Sequence, residues 1–373
     1  MRVVISAAGT GGHINPGIAI ANKIMEKEPD SKIVFIGTPK GLENDLVPRA
    51  GYELRTIEAY GIKKKLNREN IHNMAKTVRS GKFAMQYLRE INPDVVIGTG
   101  GYICGPVFAA AAKCKIPSIL HESNAFPGKA VKVFARKVDK VLVGFEAAKD
   151  RLKEAKEVVV TGTPTKVKKI NLSENRRKEL LAELELKDNM PIILVFGGSQ
   201  GAKRINDTII GILQNGLNKN YQIVWATGPK QYEVIKEELS NINLNIDKIE
   251  NCKILPYIYN MEEMYALCNL AICRSGAMTV TELAISCKPA IFIPLPSVGA
   301  NRQEDNARVV EQLDGGRVIL NEELNYNNLN ENINEMISDL GKLEQMGMNV
   351  NKLEIKNVDE KIYEEICKVV KKC

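Results

Sequence analysis

The stretch Met1-Arg2-Val3-Val4-Ile5-Ser6-Ala7-Ala8-Gly9-Thr10-Gly11-Gly12-His13-Ile14-Asn15-Pro16-Gly17 decides the fold. Val3-Val4-Ile5 is a short β-branched run of the kind that forms a buried strand, and a glycine cluster follows it directly. An amphipathic segment over 16–26 then predicts a helix, opened by Pro16 because proline suits a first helical turn. Glycine lets the backbone approach an anion closely at such a turn, and the helix behind it aims N–H groups and a positive dipole end at the same place. The order begins again at 192–196, where Ile192-Ile193-Leu194-Val195-Phe196 runs into Gly197-Gly198-Ser199-Gln200-Gly201 and a helix starting near Ala202. A third cluster, Gly98-Thr99-Gly100-Gly101-Tyr102, also follows a β-branched run.

Between these landmarks, short apolar runs alternate with amphipathic segments, the signature of βαβ units and parallel sheets. Strands are expected at 33–36, 95–98, 118–120, 141–143 and 158–160, with a helix over 42–49. After a basic, helical stretch at 166–187, strands are expected at 223–226, 253–255, 270–273, 290–293 and 318–320, and the Asn-rich patch 321–334 reads as loop and helix cap. The chain thus divides into doubly wound α/β domains at 1–164 and 165–350. Leu353, Ile355, Val358, Ile362, Ile366 and Val369 recur near helical spacing, so 351–373 is expected to close the chain as a helix packing back toward the first domain.

Hydrophobic residues at 44% and charged residues at 26% of the 373 fit a globular protein with real cores. No apolar run approaches the roughly 18 residues that would cross a bilayer, and the N-terminus shows no secretory pattern, so a cytoplasmic location is expected. Eight scattered cysteines without a Cys-x-x-Cys pair read as reduced thiols rather than a zinc site. A net charge of +7 suits anionic lipid, nucleotide diphosphate or nucleic acid, and does not choose among them.

A dinucleotide-binding domain places an acid at the end of its second strand to hold a ribose. Phe35-Ile36-Gly37-Thr38-Pro39 and Val224-Trp225-Ala226-Thr227-Gly228 carry none, which disfavours NAD in both halves. No Gly-Lys-Ser/Thr follows any glycine loop, which argues against a P-loop NTPase.

Five segments occur in order: Gly9-Thr10-Gly11-Gly12-His13-x-x-Pro16-Gly17, Gly100-Gly101-Tyr102-x-x-Gly105-Pro106, His121-Glu122-Ser123-Asn124, Gly197-Gly198-Ser199-Gln200-Gly201-Ala202, and Cys273-Arg274-Ser275-Gly276-Ala277-x-Thr279-x-x-Glu282. The ordered set resembles the MurG family of peptidoglycan glycosyltransferases. The resemblance implies a GT-B fold, with two facing Rossmann-like domains and a cleft between them. It also implies inverting transfer of N-acetylglucosamine from UDP-N-acetylglucosamine to the undecaprenyl-linked acceptor lipid I, at the cytoplasmic face of the membrane. By the same resemblance, Thr10, Gly11, Gly12 and Asn124 contact the donor sugar, and Ser199 and Lys166 its diphosphate. Ile258 reads the uracil through its backbone, 277–282 (Ala277, Met278, Thr279, Val280, Thr281, Glu282) forms the nucleotide-sugar helix with Glu282 on the ribose, and Gln303 lies near the sugar. Gly100, Gly101 and Tyr102 form an acceptor diphosphate loop. Departures are Ala7-Ala8 where glycine is common, Ser123 for a glutamine, Thr163 for an asparagine, Lys166 for an arginine and Asn301 near a usual aspartate. Lysine keeps the charge of arginine but loses its bidentate fork.

His13 is one of three histidines and sits where a glycine loop becomes a helix. A neutral imidazole can take the proton of a sugar hydroxyl; His13 is therefore the candidate base, or else orients the loop. His121 reads as a structural hydrogen-bonder and His72 as a surface residue. No Asp-x-Asp pair is present to hold a divalent ion on a nucleotide sugar, so no metal or cofactor is expected. A UDP-N-acetylglucosamine 2-epimerase of the same architecture is the alternative enzyme, and a nucleotide-sugar sensor the non-enzymatic one. Lys63, Lys64, Lys65 and Arg68, followed by Ile71, Met74, Ala75 and Val78 with Lys76, Arg79 and Lys82 between them, predict an amphipathic segment for an anionic membrane surface. The same apolar residues could instead pack on the first domain's own sheet.

Overall fold

The computed structural model describes residues 1–60, 68–198, 201–246, 248–296 and 302–370. The chain forms two compact units, one of Met1–Lys166 with Ile355–Cys373 and one of Val167–Glu354.

In the first unit, β1 (Arg2–Ala7), β2 (Lys32–Gly37), β3 (Glu53–Thr56), β4 (Val95–Gly100), β5 (Ser118–Glu122), β6 (Lys140–Val143) and β7 (Val158–Val160) form one parallel sheet in the order β3-β2-β1-β4-β5-β6-β7. β1 is central, with Val3, Val4 and Ile5 fully buried, because its neighbours cover both edges and helices cover both faces. Edge strand β3, Glu53-Leu54-Arg55-Thr56, is not expected from sequence; its charged residues are tolerated because an edge strand is only half covered. The helix Val358–Val370 packs its buried Ile362 and Ile366 against the first unit's core beside the helix Gly11–Lys27.

The second unit repeats the plan with β8 (Ile192–Phe196), β9 (Gln222–Ala226), β10 (Cys252–Leu255), β11 (Leu270–Cys273), β12 (Ala290–Phe292) and β13 (Gly316–Val318), in the order β10-β9-β8-β11-β12-β13. Trp225 is wholly buried in its core, and its indole N–H donates to Asn206 at 3.0 Å.

Several elements differ from expectation. The first helix begins at Gly11, five residues before Pro16, so the proline lies inside it and His13 occupies its first turn. β13 ends at Val318, where a strand at 318–320 is expected. Of 166–187, only Glu174–Glu183 is helical, capped by Ser173. Most of the Asn-rich patch is helical, Tyr326–Ile337, because Leu329, Ile333, Met336 and Ile337 make a buried stripe and Asn325 caps the first turn. Cys104, Cys114, Cys252, Cys268, Cys273 and Cys287 are free thiols. Cys367 is disulfide-bonded, contrary to the reading of all eight as reduced.

Candidate functional site

In each sheet the chain winds outward from a central strand on one side and then returns to the other side. The point of reversal lies between β1 and β4 in the first unit and between β8 and β11 in the second. Loops at the carboxyl ends of strands diverge at such a point and leave a crevice where ligands of open α/β sheets bind. All three glycine clusters, together with the turn before Ala277, lie at these two places.

At the first reversal, Gly9 has φ +96°, and Thr10 stands at the N-cap of Gly11–Lys27 without a side-chain cap bond, with no acid in the first turn. The neighbouring loop packs closely upon it. A β-carbon on Gly101 would lie 2.6 Å from the Ala8 carbonyl oxygen, and one on Gly100 would lie 2.3 Å from His13 Cδ2. Both glycines also have positive φ, so no other residue fits without strain. Cys104 opens the following helix, and its thiol donates to the Gly100 carbonyl at 3.3 Å. Burial pushes this thiol up to about 11, which keeps it a donor.

His13 is half-buried. Its Nδ1 lies 3.1 Å from the Ala8 carbonyl, and its own carbonyl accepts from the Thr99 hydroxyl at 2.7 Å. A carbonyl can only accept, so Nδ1 carries the proton and Nε2 is the basic nitrogen of the neutral ring. His121, by contrast, is buried and bonded through Nε2 to the Gly162 carbonyl at 3.0 Å. Burial lowers its pKa to about 4, so it serves structure in the neutral form. Asn124 follows β5 at the same edge of the sheet, where its backbone and side-chain N–H groups donate to Glu122 at 2.9 and 2.7 Å. Tyr102 is 66% exposed. Lys166 is exposed at the end of the first unit's main segment.

Sequence reading misses Glu43. Its side chain is fully buried, and its carboxylate accepts from the Gly9 N–H at 3.0 Å and from the Thr38 N–H and hydroxyl at 2.8 and 2.5 Å. Burial pushes its pKa up, but the Thr38 and Gly9 donors outweigh burial and the net shift is downward. Gly37 and Gly41 make room for it: a β-carbon on Gly41 would collide with the carboxylate, and one on Gly37 would lie 2.7 Å from Glu43 Cγ. Two glycines shortly before an acid, just past the second strand, are its one local trace in the sequence, and they do not say what the acid holds.

At the second reversal, Gly197 leaves no room for a β-carbon beside the Ala202 amide, while Gly198 and Gly201 have positive φ. Ser199 lies outside the described residues. Across the reversal, the helix Ala277–Ile285 starts after Gly276 with no acid in its first turn and no side-chain cap. Met278, Thr279, Thr281 and Glu282 are half-buried. Val280 is wholly buried and its N–H is committed to the Gly276 carbonyl at 3.0 Å, so it anchors the helix and presents nothing to a ligand. Ile258 follows β10 with its side chain buried, which leaves its backbone as the readable part.

The Gln303 side-chain carbonyl accepts from the Leu295 N–H at 2.9 Å, which orients its amide nitrogen away as a donor. Buried Ser275 donates to the Gln303 carbonyl at 2.7 Å, and Asn306 donates to that of Ser275 at 3.1 Å, tying two helix starts together. Arg274 lies beside the loop but bonds the Ile293 and Pro294 carbonyls and Asn321, so it braces the β12 loop.

In the surface segment, residues 61–67 are outside the described residues. The helix Arg68–Ile91 packs on Cys104–Cys114 through Ala84 and Leu88. Lys76 pairs with Glu58 at 3.6 Å; Arg79 and Lys82 are exposed, and Phe83 is 49% exposed beside them.

The glycosyltransferase family 28 N-terminal domain matches residues 3–143, and the family 28 C-terminal domain matches residues 192–362. A Ruminiclostridium cellulolyticum protein named UDP-N-acetylglucosamine–N-acetylmuramyl-(pentapeptide) pyrophosphoryl-undecaprenol N-acetylglucosamine transferase is 41% identical over 370 residues, 99% of this chain and 100% of that one. The chain belongs to the MurG family. A crystal structure of Acinetobacter baumannii MurG is similar with a TM-score of 0.76 at 26% identity, covering 98% of this chain and 99% of that one. The GT-B class expected for the MurG family is thus the class of this chain. A putative UDP-N-acetylglucosamine 2-epimerase from Listeria monocytogenes has a TM-score of 0.66 at 13% identity, covering 98% of this chain and 96% of that one, and shares the fold alone.

Proposed function

We propose that this protein transfers N-acetylglucosamine from UDP-N-acetylglucosamine to the 4-hydroxyl of the N-acetylmuramyl unit of lipid I, forming lipid II for peptidoglycan. The observation that supports the chemistry is His13 in the first turn of Gly11–Lys27, with Nδ1 3.1 Å from the Ala8 carbonyl, the tautomer that makes Nε2 the basic nitrogen. The acceptor hydroxyl gives its proton to Nε2 as its oxygen attacks the anomeric carbon of the α-linked donor. The bond to the diphosphate breaks as UDP leaves, and the new linkage is β-1,4.

Charge develops on the departing diphosphate. Ser199, the Gly197–Gly201 amides and the start of the helix Ala277–Ile285 supply donors and positive dipole ends for it, with Lys166 as a further cation. Glu282 accepts the ribose hydroxyls, the Ile258 backbone reads the uracil, and the Met278, Thr279 and Thr281 turn lines the nucleotide. Gln303, Thr10, Gly11, Gly12 and Asn124 contact the sugar, while Gly100, Gly101 and Tyr102 receive the acceptor diphosphate. In this division 1–164 receives the acceptor and adds contacts to the donor sugar, 165–350 holds most of the donor, and the chain's own donors handle the leaving group without a metal.

No helix among the described residues is long and apolar enough to cross a membrane. Exposed Phe83, Arg79 and Lys82, with the Lys63-Lys64-Lys65 run in the sequence, support an apolar and cationic contact with an anionic surface and a peripheral location on the cytoplasmic face. The test is transfer of radiolabelled N-acetylglucosamine to a lipid I analogue. Label should enter the lipid only when both substrates are present. Conversion of the donor alone into its 2-epimer, without acceptor, would establish the epimerase instead.

A further inference from the structure

We infer that Tyr265 is a positioning residue for donor recognition: its buried hydroxyl fixes the Glu282 carboxylate in the orientation that takes the ribose diol. The inference rests on the reading of Glu282 as the ribose acceptor.

Tyr265 lies in the helix Met261–Leu267 and is wholly buried. Its hydroxyl donates to Glu282 Oε2 at 3.0 Å, and its ring stands edge-on to Phe196, with centroids 6.1 Å apart at 68°. Phe196 is the last residue of β8, immediately before Gly197. One side chain therefore links the glycine loop on one side of the reversal to the carboxylate on the other. The polarity of the link is fixed, because an ionised carboxylate can only accept. Burial first, and Glu282 after it, raise the tyrosine far above its usual range, so the phenol keeps its proton.

Taking two ribose hydroxyls requires the Glu282 carboxylate in one orientation, and any freedom it keeps must be lost on binding. A permanent donor on Oε2 pre-organises the carboxylate, and each oxygen has lone pairs for a further bond. Tyr265 itself touches no nucleotide; its effect passes through Glu282 and should appear as selectivity for the ribose diol.

The experiment is calorimetric binding of UDP and of 2′-deoxy-UDP to wild type, Tyr265→Phe, Glu282→Gln and the double variant, with thermal melts of each. Wild type should prefer UDP, and Glu282→Gln should abolish the preference. Tyr265→Phe should reduce the ratio of affinities by about 3- to 10-fold, the worth of one buried hydrogen bond, while 2′-deoxy-UDP binding stays within about 2-fold. In the Glu282→Gln background the same change should do nothing further. Phe196→Leu removes the ring behind Tyr265 without touching a polar group, and should shift the ratio in the same direction should Tyr265→Phe fold poorly. If Glu282→Gln loses the preference while Tyr265→Phe and Phe196→Leu keep the wild-type ratio, the inference is wrong and the Glu282 reading stands. If Glu282→Gln itself keeps the ratio, the ribose reading fails, and the inference with it.

Discussion

Replacing Glu43 by glutamine keeps the shape of the side chain and removes its charge, and the contacts set the expected loss. Three donors converge on two oxygens: the Gly9 N–H on one, and the Thr38 N–H and hydroxyl on the other. A glutamine amide has one oxygen, so its NH₂ must face either the Gly9 N–H or the Thr38 pair, donor against donor. Leaving one buried N–H unpaired costs roughly 1–3 kcal/mol, and losing charge assistance on the remaining bonds adds about 1 kcal/mol. A total of about 2–4 kcal/mol corresponds to a melting temperature lower by about 4 to 16 °C for a unit of this size. Activity should fall as well, because Gly9 adjoins Ala8, whose carbonyl fixes the His13 tautomer. The folded pKa of Glu43 is depressed, so its stabilisation is present above the ordinary carboxylate pKa and disappears as pH falls through the folded value. The gap between wild type and Glu43→Gln should therefore narrow on acidification below the usual carboxylate range. Calorimetric melts from neutral to acid pH, with transfer rates at neutral pH, measure both effects. A variant that melts within about 1 °C of wild type at neutral pH would refute the account, since one unpaired buried donor alone exceeds that.

Three further outcomes are expected. His13→Ala should lower kcat by about 10²- to 10⁴-fold with UDP binding intact, and activity within a few-fold of wild type would assign the base elsewhere. Transfer should survive stringent chelation of divalent ions; loss with EDTA and recovery with magnesium, both substrates remaining soluble, would overturn a leaving group stabilised by protein donors alone. Changing Lys63, Lys64, Lys65, Arg79 and Lys82 to glutamine should weaken cosedimentation with anionic vesicles by about 1 kcal/mol per cation, with a steep salt dependence in the wild type. Lys76 is left unchanged because Glu58 already pairs with it, and equal binding of both proteins at low salt would exclude this segment as the contact.

The parts legible in the sequence were those with a local cause. A β-branched run, a glycine cluster and an amphipathic segment in succession identify β1, β4 and β8 and the loops after them, because each signal comes from residues adjacent in the chain. Features set by distant partners were not legible. Pro16 reads as a helix start by local preference, yet the helix begins at Gly11, where the loop packs against Gly100 and Gly101. β3 alternates charged and apolar residues as a surface loop can, and only its pairing with β2 makes it a strand. The asparagines of 326–334 favour a loop reading, although Leu329, Ile333, Met336 and Ile337 stand at the i, i+4, i+7, i+8 spacing of an amphipathic helix. Glu43 and Tyr265 look like ordinary helix residues, and only tertiary proximity sets one beneath Gly9 and the other beneath Glu282.

The two units share one plan and differ in what the plan holds. In both, a helix start without a side-chain cap faces the crevice at the reversal, a disposition suited to phosphate or sugar oxygens. The first unit adds a histidine in the opening turn and a buried carboxylate that grips the loop before it; the second adds a carboxylate on the helix and a buried phenol that grips the carboxylate. The buried partners have opposite polarity for a physical reason. The Gly9 loop presents an N–H and needs an acceptor beneath it, whereas Glu282 presents oxygens and needs a donor. Exchanging the two supports would set carboxylate against carboxylate in the second unit and leave the Gly9 N–H with a neutral phenol oxygen, a weaker acceptor than a carboxylate, in the first. Each buried polar residue is therefore matched to the group it holds, and replacing either by an apolar residue of equal volume would preserve packing while releasing the Gly9 loop or the Glu282 carboxylate.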